Sequence, residues 1–263
     1  MGHRGPERLM ELITVLLTGF ISVLSAGGVV IDQVATTALE DQLHDAEQLD
    51  VRIDNTPSYQ LVNGTLDRVR IAGRGLYPVE DVRIHLLDIE TDPIHLNAPD
   101  LRRGTLTLEE PLRAALRLVI TQDDLDRTLT SPYVLDQLRS LTQSLSNDEA
   151  ALEDFLNPQL QFIGNNRLRL DVVLQSDTDP VAIAAEFTLR LQSGSRLEVA
   201  DLDLSIDDQS VPDTITNAVD QILEQQLDLS RLEDQGIIAR YLQLDIQADQ
   251  LSLVGFLMIE PAD

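Results

Sequence analysis

The four histidines are the side chains best suited to metal binding or acid–base chemistry, and none has a second histidine at ligand spacing. They are His3, His44, His85 and His95. A zinc site needs three or four converging ligands, and the chain contains no cysteine. Carboxylates lie between His85 and His95, but solvated side chains are the simpler interpretation of that run. We therefore predict no metal site and no cofactor.

Motifs for nucleophilic catalysis are also missing. The chain has no G-x-S-x-G elbow, and Ser193-Gly194-Ser195 is typical of a hairpin turn. Gly73-Arg74-Gly75 lacks the third glycine of a phosphate-binding loop. With 45 Asp and Glu residues, chance pairs of carboxylates are expected, and the 3% aromatic content with no Trp marks no sugar-binding cleft. We predict a protein that is not an enzyme, with a hydrolase that uses cleft carboxylates as an alternative.

The charge of the chain excludes one class of partner. Its 45 acidic residues stand against 19 basic ones, all arginine, for a formal net charge of −26. Such a field repels a polyphosphate, so we predict no binding to nucleic acid. The hydrophobic content of 43% is enough for a core, which excludes a wholly disordered chain.

The N-terminus predicts contact with a membrane. Leu12–Ile31 is an uncharged run of 20 residues, the length that crosses a bilayer as a helix. Arg4 and Arg8 precede it and acidic residues follow it, which favours an N-terminus in the cytoplasm. We interpret residues 1–31 as a signal anchor or an export signal. Residues 32–263 are then a single domain of the cell envelope, on the non-cytoplasmic side. A buried helix of the fold remains the alternative for the apolar run.

Most of the body has the period-two alternation of strands. The clearest case is Val181–Leu191, and the parity of Leu197–Ile206 slips near Ala200. Three helices have start signals, at Thr121 with Asp124, at Ser131-Pro132, and at Pro212-Asp213. A fourth helix is predicted over Val34–Leu49. The fold class is α+β, with a curved, mostly antiparallel sheet wrapped around amphipathic helices and an N-terminal apolar helix.

The candidate binding site in this sequence consists of apolar side chains with no catalytic motif. A groove that excludes water from an acyl chain gains about 0.8 kcal/mol per buried methylene and needs no catalytic residue. One face of the clearest strand and the stripe of the last helix are our candidate groove residues, although core packing remains the alternative for each. They are Val181, Ile183, Ala185, Phe187, Leu189, Ile215, Val219 and Leu223.

Two stretches carry a resemblance, Asn63–Leu76 (NGTLDRVRIAGRGL) and Leu118–Pro132 (LVITQDDLDRTLTSP). With the N-terminal apolar segment, Asp50–Ile53 and the strand at Val82–Ile89, they resemble the LmeA-like phospholipid-binding family over residues 33–260. This resemblance implies a cell-envelope protein that holds phospholipid on a curved antiparallel sheet, similar to the tubular lipid-binding proteins. The chain departs from it in a very acidic body without lysine.

Three functions follow from these observations. The favoured one is a non-enzymatic phospholipid-binding protein, with lipid transfer as its activity and a phospholipid or other acyl-chain ligand as its partner. It would contact the membrane through its N-terminal apolar segment. The alternatives are a structural or scaffold protein of the envelope that binds no ligand, and the hydrolase mentioned above.

Overall fold

The computed structural model describes residues 36, 39–41, 43–54, 63–101, 103, 107–136, 154–175 and 180–261. The predicted signal anchor or export signal at 1–31 lies outside these residues, and so does the N-terminal apolar helix. Within the described part of the chain, no helix has both the length and the hydropathy needed to cross a bilayer.

Thirteen strands, three α-helices and a 3₁₀ helix make up the described elements, besides short helical stretches such as residues 132–136. The strands are β1 (Asp45–Asp54), β2 (Thr65–Leu66), β3 (Arg68–Val79), β4 (Val82–Thr91), β5 (Ile94–His95), β6 (Leu112–Thr121), β7 (Asp154–Gly164), β8 (Arg167–Gln175), β9 (Val181–Gln192), β10 (Arg196–Ile206), β11 (Gln209–Ser210), β12 (Ile237–Ile246) and β13 (Gln250–Ile259). The helices are α1 (Ala98–Leu101), α2 (Gln122–Leu129), α3 (Asp213–Gln226) and the 3₁₀ helix (Leu229–Gln235).

The larger sheet has six antiparallel strands in the order β1-β3-β4-β6-β13-β12. The hairpin β12–β13 adds to the edge of the sheet at β6. Strand β13 pairs with β6, with Gln250 opposite Thr121 and Ile259 opposite Leu112. Alternation divides this sheet into two faces. The inner face packs into apolar clusters around Val51, Val69 and Leu112 at one end and around Leu244 and Ile246 at the other. The outer face carries most of the arginines of these strands.

The second sheet has five antiparallel strands in the order β11-β10-β9-β8-β7. Its register shifts between Ala200 and Asp203, where Asp201 has a φ of 56°. This bulge confirms the predicted slip near Ala200. The two sheets meet in one apolar cluster, which joins Phe162, Leu168 and Leu189 to Leu244 and Ile246 of β12.

Polar side chains also join the sheets. The Asn166 side-chain oxygen accepts a hydrogen bond from the Ile246 backbone N–H at 2.8 Å. The Asn166 backbone N–H donates to the Ile246 carbonyl at 3.2 Å. Gln122 at the start of α2 donates to the Leu160 carbonyl at 2.8 Å and accepts from the Phe162 amide at 2.8 Å. Asn166 thus joins the β7–β8 turn to the end of β12, and Gln122 joins the start of α2 to β7.

The predicted helix starts are confirmed. Thr121 and Asp124 form a reciprocal capping box at the start of α2. The Ser131 hydroxyl accepts from the Val134 amide at 3.2 Å, ahead of helical residues 132–136. Helix α3 begins at Asp213, after Pro212, with no side-chain cap.

The predicted mostly antiparallel sheet is confirmed; its strands divide into two large open sheets, with few helices among the described residues. The predicted helix over Val34–Leu49 is wrong at its C-terminal end, because Asp45–Asp54 is a strand that pairs with β3. Over so short a stretch, apolar residues on one side are compatible with the period of a helix and with that of a strand. Pairing with β3, which is distant in sequence, makes this stretch a strand.

Candidate lipid-binding groove

One face of the five-stranded sheet is apolar across its three central strands, β10, β9 and β8. Val181, Ile183, Ala185, Phe187 and Leu189 alternate along β9, so they share this face. Their partners on β8 are Leu174, Val172, Leu170 and Leu168, and those on β10 are Ile206, Leu204 and Val199. The opposite face carries Ala182, Ala184 and Glu186 instead. The first five candidate groove residues therefore form one continuous apolar stripe on the central strand of the sheet.

This apolar face is fully covered at one end and only partly covered at the other, which we call its open end. Leu189 is 7% exposed and lies in the cluster that joins the two sheets. Val181 and Ile183, at the start of β9, are half-buried. Ile206, opposite Ile183 on β10, is half-buried as well. Val181, Ile183 and Ile206 therefore keep some accessible apolar surface at this end, whereas Leu174 and Val172, opposite Val181 and Ile183 on β8, are buried.

Helix α3 packs against β10, beside this open end. Leu223 and Leu227 contact the inter-sheet cluster, whereas Ile215, two turns earlier, is 46% exposed and Val219 is half-buried. The helix is thus anchored by its C-terminal half and presents apolar side chains near its N-terminal half.

The eight candidate residues divide into two groups. Phe187, Leu189 and Leu223 come together in the inter-sheet cluster. The other candidates lie outside that cluster, and they are Val181, Ile183, Ala185, Ile215 and Val219. The first group packs the core, and the second, apart from the buried Ala185, marks the open end.

The apolar surface continues on the inner face of the six-stranded sheet. Leu116 and Leu118 of β6 and Leu251 and Leu253 of β13 are half-buried, although both strands are central in the sheet. Gly255 lies among them, and a Cβ there would be 3.2 Å from the Arg240 carbonyl oxygen and 3.3 Å from the Leu116 side chain. The glycine lets Leu116 lie flat over β13. Leu251 and Leu253 pack against the inter-sheet cluster and Leu118 packs against the cluster around Leu76, so this part of the inner face is partly covered.

One acceptor on α3 has no partner. Oδ1 of Asp220, next to Val219, is out of contact with solvent and has no hydrogen bond. A buried oxygen without a donor costs about 1–3 kcal/mol. A hydroxyl or ammonium group of a ligand would satisfy it.

A buried ion pair fixes the helix that follows β6. Arg83 of β4 donates to Asp124 at 2.5 Å and to Glu47 of β1 at 2.9 Å. Asp124 is 1% exposed. Burial alone would raise the pKa of Asp124, but hydrogen bonds from Thr121 and Arg83 outweigh it and hold the pKa below its usual value. Every partner of Asp124 is thus structural, and the carboxylate is not placed to act as a general acid.

A pocket of about 520 Å³, lined by polar and apolar side chains, lies between α2, β7 and the β12–β13 turn. Its lining includes Gln122, Asp126, Gln161 and Phe162. Gln122 has both ends of its amide engaged by β7, and its Nε2 also donates to Asp126 at 2.7 Å. Gln122 and Asn166 were not predicted from the sequence as structural contacts. The position of Gln122 directly after the helix cap is the one local signal that could have singled it out.

Titratable side chains do not gather into a metal site. In the part of the chain that the structure describes, no three His, Asp or Glu residues converge as ligands. His85 has its Nδ1 at 4.0 Å from Asp124, and His95 has its Nδ1 at 3.4 Å from Glu110. Each histidine therefore faces one carboxylate.

Comparison with known proteins gives one match. A protein family described as LmeA-like phospholipid-binding matches residues 23–256. No curated protein and no solved structure matches the chain significantly. The family match covers both sheets apart from the last three residues of β13, and it includes all the candidate groove residues.

Proposed function

Since this chain belongs to the LmeA-like phospholipid-binding family, we propose that it is a non-enzymatic carrier that holds phospholipid acyl chains in an apolar groove. The groove lies between the apolar face of the five-stranded sheet and α3. It continues onto the inner face of the six-stranded sheet, with both sheets curving around the helices. Transfer of lipid between membranes is the activity that such a reversible site serves.

The observation that carries this proposal is the uneven cover of one apolar face. Leu189 is closed off by β12, whereas Val181 and Ile183 on the same face stay half-buried beside the exposed Ile215. Burying ten methylenes of an acyl chain gains about 8 kcal/mol before the costs of association are subtracted. That gain is large enough to bind a phospholipid without any charged contact.

The site belongs at the cell envelope in this proposal. Leu12–Ile31 has the length and composition of an anchor or an export signal. Either one delivers the acidic domain to the non-cytoplasmic side, where the phospholipid of the envelope is its ligand. A reporter that is active only outside the cytoplasm, fused after Asp263, tests this location, and an inactive but stable fusion would contradict it.

Lipid extraction tests the function itself. The full chain, purified without added lipid and extracted with organic solvent, is expected to release phospholipid in near-stoichiometric amount by mass spectrometry. A control protein of similar charge should release none. Extracts with no phospholipid above that control would contradict the proposal and favour a scaffold that binds no ligand.

A matched pair of variants tests the groove. Ile215→Glu puts a charge beside the open end, and we expect bound phospholipid to fall at least tenfold, because a buried unpaired charge costs several kcal/mol. The control is Ile163→Glu, since Ile163 of β7 is 41% exposed and Ile215 is 46% exposed. Equal lipid content in the two variants would place the acyl chains elsewhere.

A further inference from the structure

The outer face of the six-stranded sheet has an apolar strip that lies outside the apolar clusters formed by the described residues. Val254, Phe256 and Met258 of β13 alternate along this face and are all half-buried. None of them belongs to an apolar cluster among the described residues. Across the strand pair they lie opposite Arg117, Ala115 and Arg113 of β6. The strip is thus bordered on one side by two arginines.

Most arginines of this face are already neutralised. Those in ion pairs are Arg52 and Arg70 with Asp54, Arg68 with Glu90, Arg74 with Asp88, and Arg240 with Glu233. Arg113 and Arg117 are exposed and form no ion pair among the described residues; Asp88, opposite Arg117 on β4, is engaged by Arg74. In a chain with a net charge of −26, these two arginines give the half-buried apolar strip a local positive charge.

The spacing of the two arginines suits a surface of repeated anionic groups. They are four residues apart on one strand, which is about 13 Å. Guanidinium groups bind phosphate through paired hydrogen bonds, and side chains such as Phe and Met between them can enter the boundary of the acyl chains. A free phosphate ion would contact the arginines but not the apolar strip.

Charge also argues against a second copy of the chain as the occupant. Two copies that meet through this face in a symmetric dimer would bring the same unpaired guanidinium groups to one interface. The rest of the acidic molecule repels an anionic bilayer, but salt screens that repulsion beyond about 8–10 Å. The local contact therefore decides the binding.

We propose that the outer face of the six-stranded sheet docks on a phospholipid bilayer, with Arg113 and Arg117 on lipid phosphates and the Val254–Met258 strip in the headgroup boundary. This face is on the opposite side of the sheet from the groove. Docking and acyl-chain binding are therefore separable, and loss of one leaves the other testable.

A fluorescent reporter tests the position of the bilayer. The chain has no tryptophan, so Phe256→Trp gives the full-length protein a single emitter on the strip, and Ile163→Trp gives a control on the other sheet. With vesicles of phosphatidylcholine containing about a third phosphatidylglycerol, we expect the Phe256→Trp emission to shift to the blue and to be quenched by brominated acyl chains. The Ile163→Trp emission should not change.

Charge variants test the arginines. Arg113→Gln with Arg117→Gln should weaken vesicle binding about tenfold or more, at roughly 1 kcal/mol for each basic residue at an anionic surface. The control is Arg127→Gln with Arg231→Gln, which makes the same change in net charge on α2 and the 3₁₀ helix, and should alter binding less than twofold. The apolar N-terminal segment is common to all these proteins, so the comparison isolates the face.

Three results would overturn the proposal. One is vesicle binding with no change in the Phe256→Trp emission, which would leave the N-terminal segment as the contact. Another is equal weakening by the two pairs of arginine variants, which would make the effect one of net charge alone. The third is a blue shift that follows protein concentration without vesicles, which would assign the strip to a second copy of the chain.

Discussion

A single carboxylate shows how far local chemistry determines the position of a helix. Asp124 closes the capping box of α2 and receives Arg83 from β4, so one side chain both starts the helix and fixes it to the sheet. The Thr121–Asp124 spacing was readable in the sequence because capping is local. The ion pair with Arg83 was not predictable from the sequence. Arg83 lies on β4, whereas α2 follows β6, and no local pattern relates the two.

The depressed pKa of Asp124 predicts a pH dependence of stability. A carboxylate whose pKa is lower in the folded state stabilises the fold above its unfolded pKa, and loses that effect as pH falls through the folded value. We expect Asp124→Asn to lower the free energy of unfolding at pH 7 by about 3 kcal/mol, as for a broken buried pair. The gap to the parent should narrow below about pH 4. Urea unfolding over a series of pH values measures it. The exposed neighbour Asp123→Asn is the control, and a gap that is constant with pH would contradict the argument.

At the scale of elements, α2 depends on hydrogen bonds to the second sheet. Gln122→Ala removes both bonds between the amide and β7, and leaves the Phe162 N–H and the Leu160 carbonyl without partners. We expect a loss of about 2 kcal/mol and faster amide exchange at Phe162. Gln159→Ala, at an exposed position of the same strand, should change stability by less than about 0.5 kcal/mol. Unchanged exchange at Phe162 would show that β7 holds its position without α2.

Elements with a strong local signal were predictable, and those that depend on distant pairing were not. Val181–Leu191 was predicted as a strand and is observed as Val181–Gln192, because eleven alternating residues leave no other period. Asp45–Asp54 is an edge strand with exposed acids, so its pattern was equally compatible with a helix. For the groove, parity showed which β9 residues share a face. It did not show that β12 covers Leu189 and leaves Val181 partly open, since β12 is far away in sequence.

For the whole molecule, excess negative charge is the dominant electrostatic term. Self-repulsion destabilises a compact chain with a net charge of −26, and added salt screens it. We expect the unfolding temperature to rise by several degrees between low-salt buffer and about 0.5 M sodium chloride, where the Debye length is near 4 Å. Sucrose at equal osmolality separates screening from a general solute effect. An equal rise in both solutions would mean that repulsion does not limit stability.

The insertion of β13 beside β6 has a consequence for biosynthesis. While a ribosome is still making the segment after α3, β6 has β4 on one side and a bare edge on the other. An unpaired apolar edge invites association with other chains. The sheet is completed only after translation has passed Ile259, so a nascent chain needs protection until then. Premature termination upstream of Gln250 would yield an aggregating fragment instead of a smaller folded protein.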